Sequence, residues 1–309
     1  MPFGSTAFRC SDGHCHHRRV IELRTEGARL QVVPEIGGRL HQLWLTVHGR
    51  EEPLLVSPED PSGHGTEPLT GGSYPMAPWA NRIAGAAFRW GGRNVALPAN
   101  EPPHALHGLV FDRPWEVVAR VGRVLEMRCD FDERWPWEGY AWQRVELQPG
   151  GLLIKAEVRS RREAFPAGIG LHPWFRRDVA GAEDVLVRIP ARQRYVAEAG
   201  IPTGALRALE GSFDLRDLQP LGARPLDDCY TLLDDPVELD WGRLRLEIDV
   251  ECAQPHVMIY ATPGAICVEP QTCAPDAFNL RTRLEGTGFA TAEPGRAVAL
   301  ASRWRWRIM

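Results

Sequence analysis

Leu244-Arg245-Leu246-Glu247-Ile248-Asp249-Val250 places an apolar side chain at every second position and a charged one between. A chain that turns successive side chains to opposite faces has this period, so the stretch reads as a strand with one face on a core and one in water. The pattern recurs outward from it. Leu125, Met127, Cys129 and Phe131 alternate in the same way, as do Ile154, Ala156 and Val158, and Val185, Val187 and Ile189. Near the C-terminus Trp304, Trp306 and Ile308 alternate with Arg303, Arg305 and Arg307. Gly91-Gly92, Gln148-Pro149-Gly150-Gly151 and Glu293-Pro294-Gly295 separate such runs with turn chemistry. The 26 Pro and 30 Gly would interrupt most long helices, and helical periodicity is nearly absent. Short helical turns are expected near Ser57–Asp60 and Phe213–Leu218. Many short alternating strands imply an all-β chain, a large antiparallel β-sandwich or barrel with few short helices. No Ser/Gly linker, charge block or internal repeat divides it, so 1–309 reads as one domain, with 1–20 expected to be a loosely ordered N-terminal segment.

With 44% hydrophobic and 25% charged residues, 309 residues suffice for a sizeable core and do not read as disordered. The formal net charge of −4, without a basic stripe, gives no sign of nucleic acid as a partner. Seven scattered Cys do not make a disulfide framework, and no stretch has the length and apolarity of a signal peptide core or membrane span. A reducing cytoplasm is the expected compartment.

Several segments break the strand-and-turn pattern. Pro78-Trp79-Ala80-Asn81-Arg82-Ile83 sets an amide and a fork-shaped cation beside a large aromatic, groups that could bind and cover a sugar; alone it reads as a surface turn with an Arg and a core Trp. His104-Ala105-Leu106-His107-Gly108 holds two His without a third ligand at metal-site spacing, and Gly108 would allow close backbone approach to a ligand. In Gly168-Ile169-Gly170-Leu171-His172-Pro173-Trp174-Phe175, His172 stands among aromatics, as a proton carrier or as a satisfied core His. In Ala265-Ile266-Cys267-Val268-Glu269-Pro270-Gln271-Thr272, alternation aims Glu269 like Cys267 and Ala265. Desolvation there would raise its pKa and make it a better base, the alternative being an edge-strand Glu in water. Asp227-Asp228-Cys229-Tyr230 opens a strand and reads first as turn chemistry. The crowded tract of Cys10, His14, Cys15, His16 and His17 lacks a second ligand cluster, so a closed structural zinc site is not expected.

In order along the chain, these segments resemble the aldose 1-epimerase (galactose mutarotase-like) family. The resemblance runs from Pro34-Glu35-Ile36-Gly37-Gly38-Arg39-Leu40 to the C-terminal strand. Asn81-Arg82-Ile83, Leu106-His107-Gly108 with Phe111-Asp112-Arg113-Pro114-Trp115, Gly170-Leu171-His172-Pro173-Trp174-Phe175, and Asp227 before Tyr230 each look like a family segment. Val268-Glu269-Pro270-Gln271-Thr272 with Pro275-Asp276-Ala277 and Asn279 looks like a fifth. The resemblance implies a single large β-sandwich with a sugar cleft on one sheet. It implies interconversion of α and β anomers of a free aldose, without cofactor or metal. Glu269 would be general base, His172 general acid, and His107 would polarise the ring oxygen. Arg82 and Asp227 would hold hydroxyls with Asn81 nearby, and Trp174 or Trp79 would supply an aromatic surface. At neutral pH the required Glu⁻/HisH⁺ pair is accessible if the two charges stabilise each other. Two departures, Pro78-Trp79 before Ala80 and Met258 where galactose-type enzymes carry Gln, imply altered hydroxyl recognition. The alternatives are a mutarotase of phosphorylated hexoses, with Arg89, Arg113 or Arg176 as phosphate ligands, and a non-catalytic sugar-binding protein. A small sugar is the expected partner, without nucleic acid or membrane, for a monomer or homodimer.

Overall fold

The computed structural model describes residues 20–309. The N-terminal Cys/His tract therefore lies outside the described residues, as does almost all of the segment expected to be loosely ordered. Two antiparallel sheets carry most of the strands, of eleven and nine strands, as the alternation predicts. The opening stretch becomes the strand Leu244–Glu251, paired with Val237–Asp240 on one side and Val298–Ile308 on the other. Leu244, Leu246 and Ile248 are fully buried, while Asp249 on the other face meets Arg305 at 2.6 Å. This nine-stranded sheet continues through Gly151–Ser160 and Gly139–Gln148 to Glu116–Val121.

The eleven-stranded sheet runs from Ile21–Thr25 across Arg39–Val47, Ser73–Met76, Gly170–Arg176, Ala265–Gln271, His256–Ala261 and Asp227–Leu233 to Ile201–Ala208. Its inner face and that of the nine-stranded sheet share one apolar core, the usual reason two half-apolar sheets stack. Phe175 from one sheet meets Trp304 from the other at 4.9 Å between ring centroids. Gln143 Nε2 donates to Gly38 O at 2.9 Å, and Trp241 Nε1 to Arg176 O at 3.2 Å.

The outer face of the larger sheet is also covered in its middle. Ala265–Gln271 is buried at all seven positions, so it reads as an apolar run with only Glu269 and Gln271 marking its second face. The expected helical turns are displaced. A 3₁₀ turn spans Pro61–Gly65, with Asp60 capping it by accepting from Ser62 N at 2.7 Å, and another spans Gly211–Phe213. Pro61 is better placed inside the first turn, and the residue before a proline is pushed toward extended geometry, so the helix starts after Ser57–Asp60. One short α-helix, Ala277–Leu280, is found among the described residues, and no helix there is long and apolar enough to cross a membrane.

Candidate active site

The site is assembled by strand register. Gly170 opposes Gln271 and Trp174 opposes Cys267, which sets His172 opposite Glu269. Tyr74 opposes His172 from the other side, and Met258 opposes Glu269. One row thus crosses four strands as Tyr74, His172, Glu269 and Met258, and the next reads Trp174, Cys267, Tyr260 and Asp227. The alternate residues Leu171, Phe175, Ile266 and Val268 point into the shared core.

Above these rows lies a hollow of about 230 Å³. It is smaller than the roughly 300–1,000 Å³ of sites for drug-sized ligands, and suits a monosaccharide. Asn81, Arg82, His107, His172, Trp174, Asp227 and Glu269 all line it, so seven residues singled out from the sequence come together. Leu69, Thr70, Glu101, Leu106 and Tyr260 complete the wall. A larger groove of about 440 Å³ on the other sheet has only partly exposed carboxylates, Glu157 and Glu293, and no imidazole.

His172 Nε2 stands 3.4 Å from Glu269 Oε1. Both are nearly enclosed, at 4% and 2% exposure, yet both reach the hollow. His172 is clamped between rings. Trp174 stacks on it at 5.3 Å and 7°, Tyr74 at 4.9 Å and 28°, and His107 meets it edge-on at 4.9 Å. Burial drives the His172 pKa down to about 3, with a further push from the positive Arg39. Burial drives Glu269 well above the ordinary carboxylate range, and the negative Asp227 adds to this. Met258 across the strand brings no hydrogen bond to the carboxyl, while Gln271 Nε2 donates to its Oε2 at 3.2 Å. Low polarity thus pushes each group toward its neutral form, so a Glu⁻/HisH⁺ pair is accessible only through the mutual attraction of the two charges. A protonated carboxyl offers the imidazole no charge to hold it cationic.

Arg82 is tied bidentately to Glu101, by Nε at 2.6 Å and Nη2 at 2.9 Å, and stands 3.7 Å from Asp227 at the mouth. Asn81 and His107 are held in left-handed backbone, with φ of 56° and 60°, and His107 N donates to Asn81 O at 3.0 Å. Such conformations cost energy and persist where the surroundings enforce them. Asp276 supplies part of that enforcement: its backbone N donates to Arg82 O at 2.7 Å and its Oδ1 accepts from Ala84 N at 3.0 Å.

Three expectations need correction. A Cβ on Gly108 would stand 2.1 Å from Ala77 O, so this glycine serves close packing of two backbone segments and not approach of a ligand. Trp79 is 1% exposed and belongs to the core, so Trp174 alone of the two faces the hollow. None of Arg89, Arg113 and Arg176 lines it. Arg113 pairs with Asp132 at 3.4 Å and Arg176 with Asp178 at 2.9 Å, while Arg89 is exposed on a separate hairpin.

Arg39, Tyr74 and Glu101 escaped the sequence reading. Arg39 is fully buried and donates to the carbonyls of Pro68, Thr70 (2.9 Å), Gly71 (2.7 Å) and Phe111 (3.3 Å). It also lies 4.3 Å over the Tyr74 ring. It therefore fixes both the loop that carries Leu69 and Thr70 and the ring that stacks on His172. Gly37, two residues before it, leaves room for Phe111 O, which would be 2.0 Å from a Cβ.

Fold and site together define a β-sandwich protein with a small polar hollow on one sheet, floored by a carboxyl–imidazole pair. The family model for aldose 1-epimerase matches residues 19–300. Uncharacterized protein YihR of Escherichia coli (strain K12) is 26% identical over 241 residues, 73% of this chain and 76% of that protein. Galactose mutarotase of Mus musculus is 32% identical over 158 residues, 48% of this chain and 46% of that protein, so this match spans less than half of either. In fold, a galactose mutarotase-like protein from Clostridium acetobutylicum superposes with a TM-score of 0.84 at 19% identity, over 96% of this chain and 98% of that one. The chain belongs to the aldose 1-epimerase family, a family of isomerases acting on small sugars.

Proposed function

We propose that the chain is a mutarotase that interconverts the α and β anomers of a free aldose by general acid–base catalysis, with Glu269 as base and His172 as acid. The observation that carries this is the buried carboxyl–imidazole pair, 3.4 Å apart, on a monosaccharide-sized hollow.

One proton on the pair suffices. Its transfer from the Glu269 carboxyl to His172 Nε2 creates the reactive form without exchange with solvent. Glu269 then takes the anomeric hydroxyl proton while Nε2–H gives its proton to the ring oxygen. The C1–O5 bond breaks and C1 becomes the aldehyde. The pair is now neutral again, the arrangement that burial favours, so ring opening relieves charge separation. Rotation about C1–C2 and reversal of the transfers close the ring with the other configuration. Each positioned transfer contributes about 10²–10⁴-fold. His107 lines the hollow beside His172, which suits a contact with the ring oxygen. Arg82, Asp227 and Asn81 would hold the remaining hydroxyls.

A free sugar is favoured over a phosphorylated one. Among the described residues Arg82 is the one Arg or Lys lining the hollow, and Glu101 already occupies its fork. Catalysis is favoured over binding alone because a binder needs no stacked, desolvated proton pair. The five described cysteines are free thiols, which supports a reducing, cytoplasmic setting. Anomer exchange followed by polarimetry over a panel of free and phosphorylated aldoses tests the reading. Acceleration for a free aldose, unaffected by EDTA, is expected; binding without acceleration for any sugar would refute it.

A further inference from the structure

Cys267 has no part in the reaction above, yet it stands two residues before Glu269 on the same face of one strand. It opposes Trp174 on one side and Tyr260 on the other. A ring nitrogen of His172, Sγ of Cys267 and a carboxyl oxygen of Glu269 all lie within 4.8 Å of one another, and all three residues are buried. No other trio of such donors comes together among the described residues. The 3.4 Å between His172 Nε2 and Glu269 Oε1 is already the bite of a chelate. Donor atoms around tetrahedral zinc, at bonds of about 2.0–2.3 Å, stand roughly 3.3–3.8 Å apart. Thiolate, imidazole and carboxylate together suit zinc or cobalt(II), whereas magnesium and calcium prefer oxygen alone. Stacking by Trp174 and Tyr74 holds the imidazole in place. A fourth coordination position would open on the hollow, because His172 and Glu269 line it.

We propose that His172, Cys267 and Glu269 form an inhibitory site for zinc or a similar divalent cation, which excludes the sugar. Only the exclusion of sugar rests on the mutarotase reading; coordination itself does not. Binding is not a redox step: the thiol proton and any carboxyl proton leave to solvent as the metal bonds form.

The test uses the full chain with Cys10→Ser and Cys15→Ser, so that the N-terminal tract offers no thiolate. Titration with cobalt(II) under nitrogen is expected to give a near-ultraviolet thiolate-to-cobalt charge-transfer band saturating at one equivalent. Cys267→Ser should abolish the band and weaken binding at least tenfold, since disturbing even outer-shell partners shifts metal affinity about 10–100-fold. Glu269→Gln, which keeps the thiol, should weaken binding by a similar factor and serves if Cys267→Ser does not fold. Absence of the band, or a band undiminished by both substitutions, overturns the site. In the anomer-exchange assay, zinc should slow the reaction, EDTA should restore it, and Cys267→Ser should keep the basal rate while resisting zinc. A cobalt band in a protein that exchanges no sugar upholds the metal site and refutes only the mutarotase reading.

Discussion

Replacing Glu269 by Gln keeps the shape of the side chain and removes its ability to take a proton. Gln271 Nε2, now 3.2 Å from Glu269 Oε2, can still donate to an amide oxygen there, so the floor of the hollow should stay in place. His172 loses the partner 3.4 Å away with which it exchanges its proton. The loss expected is that of at least one positioned proton transfer, about 10²–10⁴-fold in rate, or about 2.7–5.4 kcal/mol of barrier. His172→Asn should cost a similar factor, and the double variant little more than either single one, because groups that act as a unit are not additive. The assay is the approach to anomeric equilibrium of freshly dissolved α-glucose or α-galactose by polarimetry, with calorimetric sugar binding measured in parallel. Sugar affinity should hold within about tenfold while the rate collapses. A Glu269→Gln protein exchanging anomers within tenfold of the parent would refute the proton-transfer assignment.

Other outcomes follow from the same geometry. Burial lowers the His172 pKa to about 3, so a pH–rate profile by polarimetry should show no inflection from this imidazole near 6.5; one that moves away on His172→Asn would contradict this. A group with depressed folded pKa stabilises above its unfolded pKa and loses that contribution as pH falls. His172 and His64, lowered to about 3, and His41 and His256, lowered to about 4, all stay neutral in the folded chain where an unfolded His is charged, so stability should fall as pH drops from about 6.5 toward 4. Urea unfolding against pH checks this, and unchanged stability across that window would contradict it. Arg39→Met orphans buried carbonyls at Thr70 and Gly71 and frees the loop bearing Leu69 and Thr70. It should cost about 2–4 kcal/mol of stability and raise KM more than it lowers kcat, as read by urea unfolding and initial rates. Gly108→Ala forces a Cβ to 2.1 Å from Ala77 O at φ +77°, and should lose at least about 2 kcal/mol, measured by thermal unfolding.

The fold was legible because half-buried strands advertise themselves by period two. Leu244–Glu251 and Val298–Ile308 kept one face wet, so their charges stayed visible between their apolar residues. Ala265–Gln271 is covered on both faces, and there only the intrusion of Glu269 and Gln271 into an apolar run betrayed the second face. The seven site residues were found as segments, and register explains why His172 and Glu269, distant in sequence, meet as a cross-strand pair. What stayed hidden depended on contacts that no local pattern encodes. Nothing near Glu101 announces its pairing with Arg82, and Arg39 reads as one more strand-end charge until the carbonyls of Pro68, Thr70, Gly71 and Phe111 converge on it. The preference for the neutral pair was invisible for the same reason, since it depends on the aromatic rings that enclose His172.

A crystal structure of the unmodified chain soaked with a reducing aldose would examine the acid–base placement most directly. The anomeric oxygen should lie within about 2.6–3.2 Å of a Glu269 carboxyl oxygen, and the ring oxygen within the same reach of His172 Nε2 or His107. A sugar bound with its C1 end toward Glu101 and Asp227, and with neither Glu269 nor His172 near C1 or the ring oxygen, would contradict it.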